Sequence, residues 1–159
     1  MKKSLKTGLN FGLTSGVITT LGLMVGLYSS TESSLVVIAG ILTIAISDAF
    51  SDALGIHISK EAENSSSSKE VWVATFSTFL FKFIFAMTFL IPVLCLNLNL
   101  AIIISIIWGG FLIILASYLI AKDTKQNPLH VISEHLIIST IVVFSVYYLG
   151  IFINKIFLR

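Results

Sequence analysis

Asp48, Asp52 and Lys82 are ionisable side chains set deep inside long apolar runs, and any chemistry this chain performs has to start from them. An aspartate or lysine near the middle of a membrane helix costs about 2.5–3.5 kcal/mol on insertion scales, so each needs a partner or a task. Asp48 and Asp52 are four positions apart, hence about 40° apart around a helix and on one face. Ala45, Ser51, Gly55 and Ser59 continue that face as a small, polar stripe. Lipid does not select such a face, so it must look at protein or water. At a rise of 1.5 Å per residue, Asp48 lies roughly 16 Å from the inner end of its run at Ser59, and Lys82 roughly 16 Å from the inner end of its own at Val71. A salt bridge between Asp48 and Lys82 is the first expectation. One ammonium cannot fully neutralise two carboxylates, so the pair either holds a proton or takes a cation. Ser15, roughly 10 Å from Gly8, matches the depth of Asp52, roughly 10 Å from Ser59, and the two are placed to face a common ion. Carboxylate and hydroxyl oxygens suit hard or borderline divalent cations such as Mn²⁺ and Fe²⁺, and a chain whose only cysteine is Cys95 has no thiolate cluster for Cu(I).

The elements that must position these residues are legible in the hydropathy. Of 159 residues, 56% are hydrophobic and 11% charged, with a mean hydropathy of +1.00, against roughly a quarter charged in ordinary globular domains. A soluble enzyme, a disordered segment and a nucleic-acid binder are excluded, the last because no basic run is dense enough to track phosphates. Apolar runs cover about 9–28, 35–58, 71–96, 100–121 and 136–154. Each is long enough to cross a bilayer as a helix and continuously apolar, unlike a barrel strand. The expected fold is therefore one all-α membrane domain over 1–159 with five spans. The tight joint at 97–99 makes a hairpin of the third and fourth spans, with Pro92 little more than one turn before it. The first run could be read as a signal peptide behind three lysines, but it exceeds the usual 7–15 residues and no A-x-A site follows Tyr28. Orientation comes from Lys2, Lys3, Lys6, Lys60, Lys69, Lys122 and Lys125 on one side against Lys155 and Arg159 on the other. Positive loops stay cytoplasmic, so the N-terminus is expected inside and the C-terminus outside.

Other residues carry weaker signals. Gly8, Gly12 and Gly16 form two overlapping G-x-x-x-G steps, and Gly22 with Gly26 repeats the spacing. Close helix packing is the physical meaning, either within the chain or between two copies. Glu61, Glu63 and Glu70 flank Ser65 and its neighbouring serines in the longest inner loop before the fourth span, which reads as a solvated connector or a cytoplasmic entry for metal. His57, about 140° around the helix from Asp52, faces the inner interface instead of the same ion.

With these residues in hand, the sequence resembles the vacuolar iron transporter family of iron and manganese carriers. The likeness is carried by SGVITTLGL at 15–23, by ISDAFSDALG at 46–55 running on to SKEAE at 59–63, and by NPL at 127–129 leading to YYLG at 147–150. The resemblance implies a homodimer with a cytoplasmic N-terminus, in which the first two helices of each subunit line a path for Fe²⁺ or Mn²⁺ leaving the cytosol, commonly in exchange for protons. Ser15 stands where family members usually place an aspartate, and Asp52 where a methionine is often found. The loop at 60–70 is short where many iron-transporting members carry a glutamate-rich insertion.

The expected activity is export of a divalent metal cation, with the lipid bilayer and a second copy as partners and a prokaryotic cell membrane as the residence. Asp52 is the expected direct ligand, Asp48 a second ligand or proton carrier, Ser15 an oxygen ligand, and Lys82 the countercharge competing for Asp48. No tightly bound cofactor and no enzymatic chemistry are expected. The alternative is a non-transporting scaffold or partner subunit whose buried charges lock its helices.

Overall fold

A computed structural model describes residues 2–63 and 67–157. Ser65 and Arg159, which entered the loop and orientation readings, lie outside the described residues. The described chain is all-α: α1 (Lys2–Thr31), α2 (Ser34–Ala62), α3 (Ser68–Thr88), α4 (Leu90–Cys95), α5 (Leu98–Thr124) and α6 (Pro128–Phe157). Five helical segments are long and apolar enough to span a membrane, with α3 and α4 together forming the third, and the protein is a multi-pass integral membrane protein. Each span outruns its apolar window. Thirty residues of α1 reach about 45 Å, the full bilayer with its headgroups, whereas hydropathy marks only the hydrocarbon.

Local chemistry sets the joints. Glu32 takes a left-handed backbone conformation (φ 50°) and Ser33 caps α2 by accepting from the Val36 N–H, so a two-residue turn reverses the chain. Asn97 caps α5 through the Leu100 N–H at 3.0 Å. Asn127 accepts from the Leu129 N–H at 3.0 Å, just ahead of Pro128, whose missing N–H is harmless in a first turn. The third span breaks at Phe89, not at Pro92 itself. Proline removes the hydrogen bond to the carbonyl four residues earlier, which is that of Thr88. The Thr88 hydroxyl donates back to the Phe85 carbonyl at 2.6 Å and accepts from Trp108 Nε1 at 3.0 Å, which ties the break to α5.

The first helix is central, packing against α2, α3, α5 and α6. Leu13, Val17, Leu21, Met24 and Val25 carry the core on it, meeting Val37 and Ile41 of α2, Phe89 at the break, and Leu112 and Ile113 of α5. Its glycines make the close approaches possible. A Cβ on Gly12 would stand 2.9 Å from both the Lys82 nitrogen and the Thr78 carbonyl, and one on Gly8 2.6 Å from the Thr78 nitrogen. Gly16 lies over the Lys82 backbone, while Gly22 and Gly26 turn toward Val142 and Val146 of α6. The Gly8, Gly12 and Gly16 face thus packs against α3 of the same chain, one of the two partners that its spacing left open. Association in a bilayer rests on such packing because lipid offers no hydrophobic contrast. Gly12→Ala is therefore expected to cost about 1–3 kcal/mol of stability by overpacking. Gly110→Ala, which meets nothing within 4 Å, should be neutral or slightly stabilising, and thermal unfolding in detergent compares the two.

Candidate ion site

Three helices converge on one ammonium. Lys82 is 1% exposed, wedged where Gly12 and Gly16 let α1 lie against the α3 backbone, so its side chain has only α1 and α2 to address. Its Nζ donates to Ser15 Oγ at 2.9 Å and to Asp52 Oδ2, and lies 2.6 Å from Asp48 Oδ2. Ser15 donates its own hydrogen to Asp52 Oδ2 at 2.7 Å. The three ammonium hydrogens therefore have three oxygens around them, from Ser15, Asp48 and Asp52. These are not equivalent. Asp52 Oδ2 collects both the serine and the ammonium, whereas Asp48 Oδ2 touches Lys82 outside hydrogen-bond angles and has no hydrogen-bond donor among the described residues.

The positioning follows from the sequence. Ala45, Ala49 and Ala53 form the buried stripe of α2, and their small side chains bring the helix in close enough for the neighbouring Asp48 and Asp52 to reach Lys82. Both carboxylates keep an opening, with side chains 25% and 22% exposed. Ser51, Gly55 and Ser59 beside them are exposed on the single chain, so the polar stripe of α2 is only partly covered by the chain's own helices.

The structure gathers Ser15, Asp48, Asp52 and Lys82 and leaves out the glutamates. Lys82 was expected beside Asp48; it stands beside both carboxylates and is hydrogen-bonded to Asp52. Glu61, Glu63 and Glu70 each meet a different neighbour. Glu61 lies beside His57, Glu63 takes Lys60 at 2.8 Å, and Glu70 closes a capping box with Ser67 at the start of α3. Among the described residues no group of three or more His, Cys, Asp or Glu is placed to hold a metal ion. A cation here would rest on the two aspartates and Ser15, with water completing its shell, and would have to displace Lys82.

One feature escaped the sequence reading and another differs from it. Thr78, one turn before Lys82 on α3, is fully buried with no hydrogen-bond partner for its hydroxyl among the described residues; its four-residue spacing from Lys82 is the only signal for it. His135, which its place beside Glu134 at the edge of an apolar run marks as a near-surface residue, lies two turns into α6 and bonds Ser117 through Nδ1 at 2.8 Å. Ser117 is fully buried and its one hydrogen goes to the Ile113 carbonyl at 2.6 Å, so this pair tethers α5 to α6.

No family model, curated protein or solved structure matches this chain. The likeness to the vacuolar iron transporters therefore stands on the sequence motifs themselves.

Proposed function

We propose that this protein exports a divalent metal cation of the Fe²⁺ and Mn²⁺ class from the cytoplasm in exchange for protons, with Asp48 and Asp52 carrying the ion past Lys82. The observation that supports it is one enclosed ammonium shared between two partly open carboxylates. With both aspartates ionised and Lys82 protonated, the site carries one net negative charge. Binding one proton makes it neutral. It is equally neutral with a divalent cation on both carboxylates and Lys82 unprotonated. Exchange of two protons for one divalent cation thus keeps the membrane interior uncharged, the condition that a low-dielectric medium imposes.

Ser15 is the third oxygen, able to follow either the ammonium or the ion because a hydroxyl both donates and accepts. A second copy set against the exposed Ser51, Gly55 and Ser59 would complete the enclosure of the path, and a prokaryotic cell membrane is the proposed setting. The test is reconstitution into liposomes with a pH-sensitive dye inside, followed by addition of Mn²⁺, Fe²⁺ or Co²⁺. Metal entry with proton movement in the opposite direction is expected. A folded, reconstituted protein that moves none of these ions would overturn the proposal.

The rival reading, a scaffold locked by its charges, is favoured by the completeness of the Lys82 contacts and by the lack of a three-ligand group among the described residues. It differs in how the protein without the lysine responds to divalent metal.

A further inference from the structure

The inner ends of α2 and α3 enclose a second constellation. A cavity of about 250 Å³ is lined by His57, Glu61, Ser68, Val71 and Trp72. His57 is largely buried, its Nδ1 2.9 Å from Thr75 Oγ1 and its ring edge-on to Trp72 with centroids 4.7 Å apart. The hydrogen positions follow from the partners. Thr75 gives its single hydrogen to the Val71 carbonyl at 2.9 Å, so its oxygen accepts from His57, and Nδ1 carries the ring hydrogen. The lone pair of the neutral ring is then on Nε2, which faces the Glu61 carboxylate at 4.0 Å.

That distance is too long for a hydrogen bond. Two neighbouring ligands each about 2.0–2.2 Å from one ion lie about 3–3.6 Å apart, so a small rotation of the exposed Glu61 side chain brings both onto one ion. The four-residue spacing is the one that sets two ligands side by side on a helix in metal-binding segments, and an imidazole whose other nitrogen is held by a neighbour is oriented as metal-ligating histidines are. Imidazole with carboxylate suits transition-metal cations over Mg²⁺ or Ca²⁺.

We infer that His57 Nε2 and Glu61 bind a divalent transition-metal cation at the inner end of α2, with the Ser68 hydroxyl and water filling the remaining positions. His57 is five residues from Asp52 along the same helix, which makes this a loading station ahead of the aspartates. As a station it rests on the transport reading; as a binding site it does not.

The protein reports on this site itself. Trp72 touches His57, and the other tryptophan, Trp108, is far along the chain on α5 near the break of the third span. In a Trp108→Phe background, purified in detergent, Co²⁺ is expected to quench Trp72 fluorescence saturably, with Zn²⁺ competing and Mg²⁺ not. Adding Glu61→Gln, at a carboxylate 71% exposed and hence harmless to the fold, should weaken the apparent affinity at least tenfold, as should His57→Ala. Asp52→Asn should leave the quenching intact. Saturable quenching that survives both Glu61→Gln and His57→Ala, or no saturable quenching at all, overturns the inference. Because the readout is binding at Trp72, its failure leaves metal flux through the aspartates to be judged separately.

Discussion

Asp52→Asn is expected to abolish metal flux in proteoliposomes while the protein folds as before. Asparagine preserves the shape, and its amide oxygen still accepts from Ser15 and Lys82, which now meet at Asp52 Oδ2. The change is confined to charge. With Asp48 alone, Lys82 is neutralised one to one, and a divalent cation on Asp48 leaves one uncompensated positive charge in the enclosed site even after Lys82 gives up its proton. Loss of an outer partner of a metal ligand already costs about 10–100-fold in affinity or activity, so loss of a ligand should cost about 100-fold or more. The same variant separates binding from folding. A metal present at about 100 times its Kd raises stability by about 2.7 kcal/mol; in a Glu61→Gln background, which removes the site at the end of α2, the protein should show a rise of this order with its cargo ion, and adding Asp52→Asn should lose it without a fall in the metal-free Tm. Normal flux through this variant would remove the aspartate pair from the mechanism.

The spans, the helical-hairpin order and the meeting of Lys82 with Asp48 were all legible because they depend on two fixed quantities, the thickness of the bilayer and the rise of a helix. The contact of Lys82 with Asp52 was not. Asp48 and Asp52 differ by about 6 Å in depth at 1.5 Å per residue, and a lysine stem of four methylenes bridges that difference, so depth matching cannot say which carboxylate it selects. The choice is made by Gly12 and Gly16, which seat the Lys82 backbone directly against α1 and bring Ser15 into reach of its ammonium. The glycines themselves showed the same limit. Their spacing announces a close partner without naming it, and only the structure assigns Gly8, Gly12 and Gly16 to α3 and Gly22 and Gly26 to α6. Glu61, Glu63 and Glu70 looked alike in a polar loop, yet each has its own neighbour, in His57, Lys60 and Ser67. Those pairings follow i,i+3 and i,i+4 spacings and the S-x-x-E capping signature, which counting glutamates in a loop passes over.

Lys82→Met is the experiment that separates a carrier from a scaffold. Methionine fits the enclosed channel, being unbranched and adaptable, so the change again isolates charge. Two neighbouring carboxylates are left with Ser15 as their remaining donor, and removing one side of a buried ion pair typically costs about 3–5 kcal/mol. Thermal unfolding should show a fall of that order, relieved when Asp48→Asn and Asp52→Asn are added, since a fully neutral site of similar volume carries no stranded charge. Both readings share that much. They part when divalent metal is added to Lys82→Met. If the aspartates are a transport site, the cation no longer has to displace an ammonium, so Mn²⁺ should bind more tightly than in the wild type and restore the lost stability, while release on the far side becomes slow and flux falls. If the charges are only a lock, Mn²⁺ shifts the Tm of both proteins equally, by no more than binding at His57 and Glu61 contributes. Tighter binding with slower transport is the particular signature of a countercharge that competes with its cargo, because conduction requires a site strong enough to fill and weak enough to empty.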